Sequence, residues 1–201
     1  PVFVDVERDT GLINARLIER EITPRTKAIL PVSLYGQVPD MDSINRIAKQ
    51  FGDIPVIEDA AQSFGATVNG RRSCGVSTIG CTSFFPSKPL GCYGDGGAVF
   101  TNSDIVAEKI RAIRVHGQEE RYRHSMIGVC GRLDTLQAAV LLAKWPRFAY
   151  EIEQREANAK YYDEQLGNRR LPFLDVMNVR STHSSVYGQY TVTVSNREKL
   201  R

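Results

Sequence analysis

At 201 residues, with a formal net charge of +3, 42% hydrophobic and 24% charged residues, the chain has the make-up of a globular protein of one domain or one and a half. No apolar run approaches the roughly 20 residues of a membrane span, and no basic, apolar, small-residue leader opens it, so no membrane partner is expected. The interspersed charges speak against a nucleic-acid surface and lean towards anionic small ligands. The cysteines Cys74, Cys81, Cys92 and Cys130 form no C-x-x-C pair, and there are only three histidines. Free thiols, no metal site and a cytoplasmic setting are the expectation.

Residues 2–6 are β-branched and apolar and predict a short strand. Residues 11–22 place Leu12, Ala15, Ile18 and Ile22 at helical spacing before Pro24. Residues 27–32 read as a strand buried on both faces, followed by a loop at Tyr35-Gly36-Gln37. Residues 41–51 are amphipathic, with Asp40 or Asp42 as N-cap and Ile44, Ile47 and Ala48 inward; Gly52 ends them. Residues 55–57 form the next strand, with Glu58 and Asp59 at its carboxyl end. This alternation predicts an α/β fold, a mostly parallel sheet covered by helices. Ligands of such sheets bind outside the carboxyl ends of the strands, where Asp59 and the Tyr35 loop lie.

Beyond Gly65 the rhythm changes. Asn69-Gly70 is a hairpin signal, and residues 78–85 and 98–101 are strand-like. Residues 104–115 predict a helix capped by Ser103 or Asp104, with Ile105, Ile110 and Ile113 inward. Residues 117–131, rich in Arg and His, read as a long loop. Residues 133–167 carry the longest helical pattern, which Pro146 is expected to kink or divide. That places a candidate boundary between residues 1–145 and a second unit at 146–201, whose tail has strand character over 189–194. Pro1 in place of a starting Met, and a tail that enters a further element, suggest a fragment lacking both ends.

The chemistry gathers around Ser83-Phe84-Phe85-Pro86-Ser87-Lys88-Pro89-Leu90-Gly91, with Gly94, Gly96 and Gly97 behind it. A lysine between prolines in a turn is a candidate amine nucleophile. Together with a carboxylate able to keep a ring nitrogen protonated, Asp59, it is what pyridoxal phosphate requires; Ser83 and glycine-loop amides suit the phosphate. Each has a plainer reading: Lys88 as a solvated loop residue, Asp59 as a cap or ion-pair partner, Ser83 as a strand hydroxyl. Neither G-x-x-x-x-G-K-[ST] nor G-x-G-x-x-G is present, so the standard nucleotide loops are disfavoured.

Val56-Ile-Glu-Asp-Ala-Ala-Gln-Ser63, the Ser83–Gly91 segment and Gly94-Asp-Gly-Gly-Ala98, with Pro1-Val-Phe-Val-Asp5, Leu34-Tyr-Gly-Gln37 and Gly131-Arg-Leu-Asp-Thr-Leu-Gln-Ala138 in order, resemble the DegT/StrS family of nucleotide-sugar aminotransferases. The resemblance implies the fold type I, aspartate-aminotransferase-like architecture of pyridoxal 5'-phosphate enzymes, with residues 1–145 in the large cofactor-binding domain and 146–201 opening the small C-terminal one. It implies Lys88 as the catalytic Schiff-base lysine, Asp59 at the pyridine nitrogen, Gln62 near the ring hydroxyl and Ser83 at the phosphate. It also implies a homodimer with a shared active site, Arg132 reaching across to a substrate carboxylate, and L-glutamate as amino donor.

The family usually has Asn two residues before that Arg; here Cys130 stands there, and a thiol is a poor replacement for an amide donor. Val115-His-Gly-Gln118, Arg121-Tyr-Arg-His124 and Gly131-Arg-Leu-Asp134 resemble the members that aminate a UDP-3-keto-2-acetamido hexuronate for bacterial surface polysaccharide (O-antigen). The alternatives are C4 amination of another UDP- or dTDP-keto-sugar, a non-catalytic protein of the same fold, and a sugar dehydratase. Dehydratase members usually carry histidine at the position of Lys88.

Overall fold

The computed structural model describes residues 1–169 and 171–200. Strand β1 (Ile57–Asp59) is the axis of its main sheet. It runs parallel to β4 (Ile79–Ser83), with Asp59 opposite Cys81, and β4 runs antiparallel to β5 (Gly97–Phe100), with Ser83 opposite Gly97. On the other side of β1, parallel bridges from Ile29 to Val56 and from Val32 to Asp59 add residues 29–32 as a fourth line. The parallel segments therefore end together, with Ser33, Asp59 and Ser83 on one rim.

Residues 27–32 are not buried on both faces. Ile29 is buried, but Leu30 is 59% exposed and Val32, two residues on, is exposed as well, so one face of this line is open. Residues 2–6 likewise form no strand: their one ladder contact is a bridge from Val6 to Ile13, and Phe3 faces solvent. A strand exists by virtue of its neighbour, and among the described residues this segment has only that single bridge.

The helix expected over 11–22 is two short 3₁₀ turns, Ala15–Leu17 and Glu19–Glu21. Leu12, Ala15 and Ile18 are all buried, and their spacing of three suits the 3₁₀ repeat as well as the α repeat. Helix α1 (Met41–Gln50) forms as expected: Asp40 accepts from the Ser43 N–H at 3.1 Å, and Met41, Ile44, Ile47 and Ala48 are buried. Gly52, at φ +94°, takes the chain out of it.

Asn69 and Gly70, both at positive φ, turn the hairpin of β2 (Thr67–Val68) and β3 (Arg71–Arg72). Helix α2 (Asp104–Ile113) is capped by the Ser103 side chain. Its inward residue is Ala112; Ile105 is 68% exposed and Ile113 is also exposed, contrary to the helical-face expectation. Residues 117–131 are not a structureless loop but carry a small hairpin, β6 (Gln118–Glu120) with β7 (Arg123–His124).

Helix α3 (Thr135–Arg169) runs 35 residues through Pro146 without division. After it, β8 (Leu174–Val176) pairs antiparallel with β9 (Val192–Val194), and α4 (Arg197–Leu200) closes the described chain. The tail returns to the sheet: Ser184 bonds Thr67, Gln37 bonds Asn178 and Arg180, and Arg180 pairs with Glu7.

Two apolar clusters hold these layers. The larger joins the 3₁₀ turns and α1 to Ile29, Val56, Val68, Val76 and Val186. The second packs Phe84, Leu90 and Cys92 of the lysine segment against Leu141 and Phe148 of α3. Phe64 packs against the second, stacked on Phe100 and Phe148. Among the described residues no helix is long and apolar enough to cross a membrane, and no cluster of potential ligands could hold a metal ion.

Candidate active site

Asp59 reaches the rim because β1 is gripped on both sides. Its N–H donates to Pro31 O and its carbonyl accepts from Ser33 N, both at 2.9 Å. The carboxylate takes one protein donor, the Ala61 N–H at 3.0 Å on Oδ1. Burial, and then the carboxylates of Asp59 and Glu58, push the thiol of Cys81 up from its ordinary value. Cys81 is thus a protonated neighbour of Asp59 at neutral pH, not a competing nucleophile.

Ser83 ends β4, and its Oγ accepts from the Phe85 N–H at 3.2 Å. From there the chain leaves the sheet and returns at Gly97. Phe84 is fixed at both ends, donating to Gly96 O at 2.7 Å and accepting from Cys92 N at 2.8 Å. Between these anchors Lys88 sits in a turn closed by its own N–H on Phe85 O at 2.9 Å. Lys88 is half-buried, while Pro89 and Leu90 behind it are buried. Helix α3 braces the far side: Gln137 Oε1 accepts from the Tyr93 N–H at 2.8 Å, and Lys144 donates to the Gly91 carbonyl.

Gln62 follows β1 on the rim. Its Oε1 accepts from the Tyr35 N–H at 2.7 Å, and Tyr35 adopts a left-handed backbone, φ +60°, to deliver that bond. The sequence marked this loop by position alone; an aromatic at positive φ leaves no composition signal. Gln137, quoted above only as part of a motif, turns out to brace the lysine turn. Glu58, beside Asp59, is fully buried among Ser33, Ser73 and Cys74.

Arg132 stands apart. It is exposed, and among the described residues it joins no rim residue by hydrogen bond or ion pair. Its neighbour Leu133 packs towards Gly96 and so lies against the lysine segment. Cys130 is exposed and bridges to Val115. All four cysteines are free.

The profile of the DegT/DnrJ/EryC1/StrS aminotransferases matches residues 1–201. The chain belongs to this family. A UDP-2-acetamido-2-deoxy-3-oxo-D-glucuronate aminotransferase from Pseudomonas aeruginosa is 57% identical over 203 residues, covering 100% of this chain and 55% of that protein. The crystal structure of S. venezuelae DesV, in complex with a ketimine intermediate, superposes with a TM-score of 0.95 at 38% identity, over 100% of this chain and 53% of DesV. NtdA from Bacillus subtilis, with bound cofactor PMP, superposes with a TM-score of 0.89 at 30% identity, over 100% of this chain and 45% of NtdA. The chain spans about half the length of the relatives it matches.

Membership brings the fold type I architecture and pyridoxal 5'-phosphate as the family's cofactor. The residues present suit that group. Among the described residues neither Asp59 nor Lys88 enters an ion pair, so a carboxylate and an amine are left for a ligand beyond the ends of β1 and β4. The oxygen of Ser83 accepts a backbone bond while its hydroxyl proton remains to be donated.

Proposed function

We propose that the complete protein transfers an amino group from L-glutamate to a keto nucleotide-sugar, with UDP-3-keto-2-acetamido hexuronate as the sugar and bacterial surface polysaccharide (O-antigen) synthesis in the cytoplasm as the setting. The observation that carries the reading is that β1 and β4 run parallel and end together, so that Asp59 and the turn holding Lys88 follow the same strand ends, neither with a charge partner among the described residues. The 57% identity to the Pseudomonas aeruginosa enzyme supports the choice of sugar.

Pyridoxal phosphate, when bound, supplies an aldehyde for an amine to condense with and an electron sink for the pair released at the adjacent carbon. The chain's residues would do the rest. Asp59 would hold a proton on the ring nitrogen, which is what makes the sink effective. Gln62 would donate from Nε2 to the ring oxygen, its Oε1 being occupied by Tyr35. Ser83 would donate its hydroxyl to the phosphate. Lys88 Nζ would hold the cofactor covalently and, once displaced, carry the proton between the carbon that loses it and the carbon that gains it.

Residues 1–145 would be part of the large cofactor-binding domain and residues 146–201 the start of the small one, joined by the unbroken α3. Assembly as a homodimer is part of the proposal. It is supported by Tyr122, Ile127, Val129 and Leu136, large apolar residues left exposed in and beside the Arg132 segment. From a second copy Arg132 would meet a uronate carboxylate in bidentate fashion. The rival reading is C4 amination of another UDP- or dTDP-keto-sugar.

Turnover of the complete protein with glutamate and a panel of keto nucleotide-sugars tests the reading. Amination of the 3-keto uronate above all others is expected. Exclusive use of a neutral 4-keto sugar would select the rival, and transfer to none would overturn both.

A further inference from the structure

Residues along β1 alternate between the two faces of the sheet, so Glu58 points away from Asp59 into the interior. It is 0% exposed. Its Oε1 accepts from the hydroxyls of Ser33 at 2.8 Å and Ser73 at 2.9 Å, and its Oε2 accepts from the Cys74 N–H at 2.7 Å. The Ser73 hydroxyl lies 2.8 Å from that of Ser63. Ser33, Ser63 and Ser73 are themselves buried. Among the described residues no Lys, Arg or His is bonded to this carboxylate.

A buried acid without a cation is an expensive way to fill a core position; an apolar side chain of like volume would do so at lower cost. What an apolar side chain could not do is hold three separate segments in one geometry. Ser33 leads within two residues to Tyr35. Ser63 directly follows Gln62. Ser73 and Cys74 close the β2–β3 hairpin beneath both. The two segments tied from below by this network are those that meet above it in the bond from Tyr35 N–H to Gln62 Oε1.

We propose that Glu58 is a positioning residue of the cofactor site: through Ser33, Ser73 and Ser63 it sets the spacing of the Tyr35 and Gln62 segments and so aims the Gln62 amide. It touches no ligand and acts through its neighbours. The proposal rests on the reading of Lys88, Asp59 and Gln62 as a pyridoxal phosphate site.

Glu58→Gln preserves volume but must aim its carbonyl at the Cys74 N–H and its amino group at two hydroxyls that now donate, so the network has to rearrange. Ser33→Ala removes one tie and leaves Glu58 two donors, which keeps a folded variant in hand should Glu58→Gln not fold. The experiment uses the complete protein and reads pyridoxal phosphate affinity by absorbance titration. The circular dichroism of the bound cofactor is recorded alongside, since it reports how the ring is held.

Both variants are expected to raise the cofactor Kd several-fold, up to about the tenfold that the Gln62 hydrogen bond is worth, and to change the dichroic band. In a Gln62→Ala background the same changes are expected to alter Kd by less than about twofold, because the residue they act through is gone. Unaltered Kd and dichroism in folded variants with a lower melting temperature would make Glu58 merely structural. A loss fully additive with Gln62→Ala would also overturn the proposal. Lys88→Ala is the control for the underlying reading. If it leaves the lysine-linked absorbance intact, the site assignment falls; if it abolishes that band while Glu58→Gln binds normally, the Glu58 proposal alone falls.

Discussion

The side-chain carbonyl of Gln62 accepts the backbone N–H of Tyr35 at 2.7 Å, and Tyr35 holds a left-handed backbone to make that bond. The bond settles which end of the amide is which. With Oε1 committed, Nε2 is the end left to donate, so Gln62 offers a ligand an N–H and not a carbonyl. Gln62→Glu keeps the acceptor for Tyr35 and removes the donor. It is expected to weaken cofactor binding about tenfold, one hydrogen bond's worth, with little change in melting temperature. Gln62→Ala loses the clamp as well and should also cost about 1 kcal/mol of stability. Titration and thermal melts check both; wild-type affinity in Gln62→Glu would remove Gln62 from the site.

The lysine turn depends on α3. Gln137 and Lys144 lie seven residues apart on one face of the helix and hold Tyr93 and Gly91 respectively. Gln137→Ala leaves the Tyr93 N–H without its partner. Hydrogen exchange at Tyr93 is expected to rise about tenfold or more, and loading of the cofactor to slow, while the amides of β1 keep their protection. Unchanged exchange at Tyr93 would show that the turn holds without the helix.

Acid sensitivity should pass through His183. Burial first, and then the charge of Arg180, lower its pKa below the ordinary imidazole value of 6.5, so the folded state prefers the neutral ring. The unfolded chain then binds the proton more readily. The stability contributed by His183 is complete above about pH 6.5 and is lost as pH falls towards the lowered value. His183→Gln is expected to flatten the denaturation midpoint across that window. An equally steep fall in the variant would place the sensitivity elsewhere.

Much of the frame was legible because it rests on local pattern. Asp40 before Met41, Ile44 and Ile47 dictated α1, Asn69-Gly70 dictated the hairpin, and the apolar run ending in Glu58-Asp59 placed the rim. The misreadings arose where a neighbour decides the outcome. Residues 2–6 have strand composition without a partner strand, and Leu12, Ala15 and Ile18 satisfy a 3₁₀ turn as readily as a helix. Pro146 is accommodated inside α3, whose flanking residues Leu141 and Phe148 are anchored in the second core. Of the candidate site, Lys88, Asp59 and Ser83 are legible from residue chemistry and position, and Gln62 from the family motif alone. The bracing by Gln137 and the Tyr35 clamp depend on contacts across 44 and 27 positions of sequence. No spacing rule reaches that far.

The return of the tail onto the rim should be sensitive to Gly36. A Cβ there would lie 2.6 Å from Tyr187 N and 2.8 Å from Gly188 N, at φ +116°. Gly36→Ala is expected to destabilise the protein by about 2 kcal/mol or more and to free the segment around Tyr187. Urea denaturation measures the first effect and hydrogen exchange at Val186 and Gln189 the second. Wild-type stability in the variant would mean that the tail yields without loss.

On the proposed function, Lys88 would carry the cofactor. Borohydride reduction of the complete protein loaded with pyridoxal phosphate, followed by digestion and mass mapping, tests it directly. Reduced cofactor is expected on the peptide containing Lys88 and nowhere else in stoichiometric amount. Attachment at another lysine such as Lys144, or no covalent attachment at all, would contradict it.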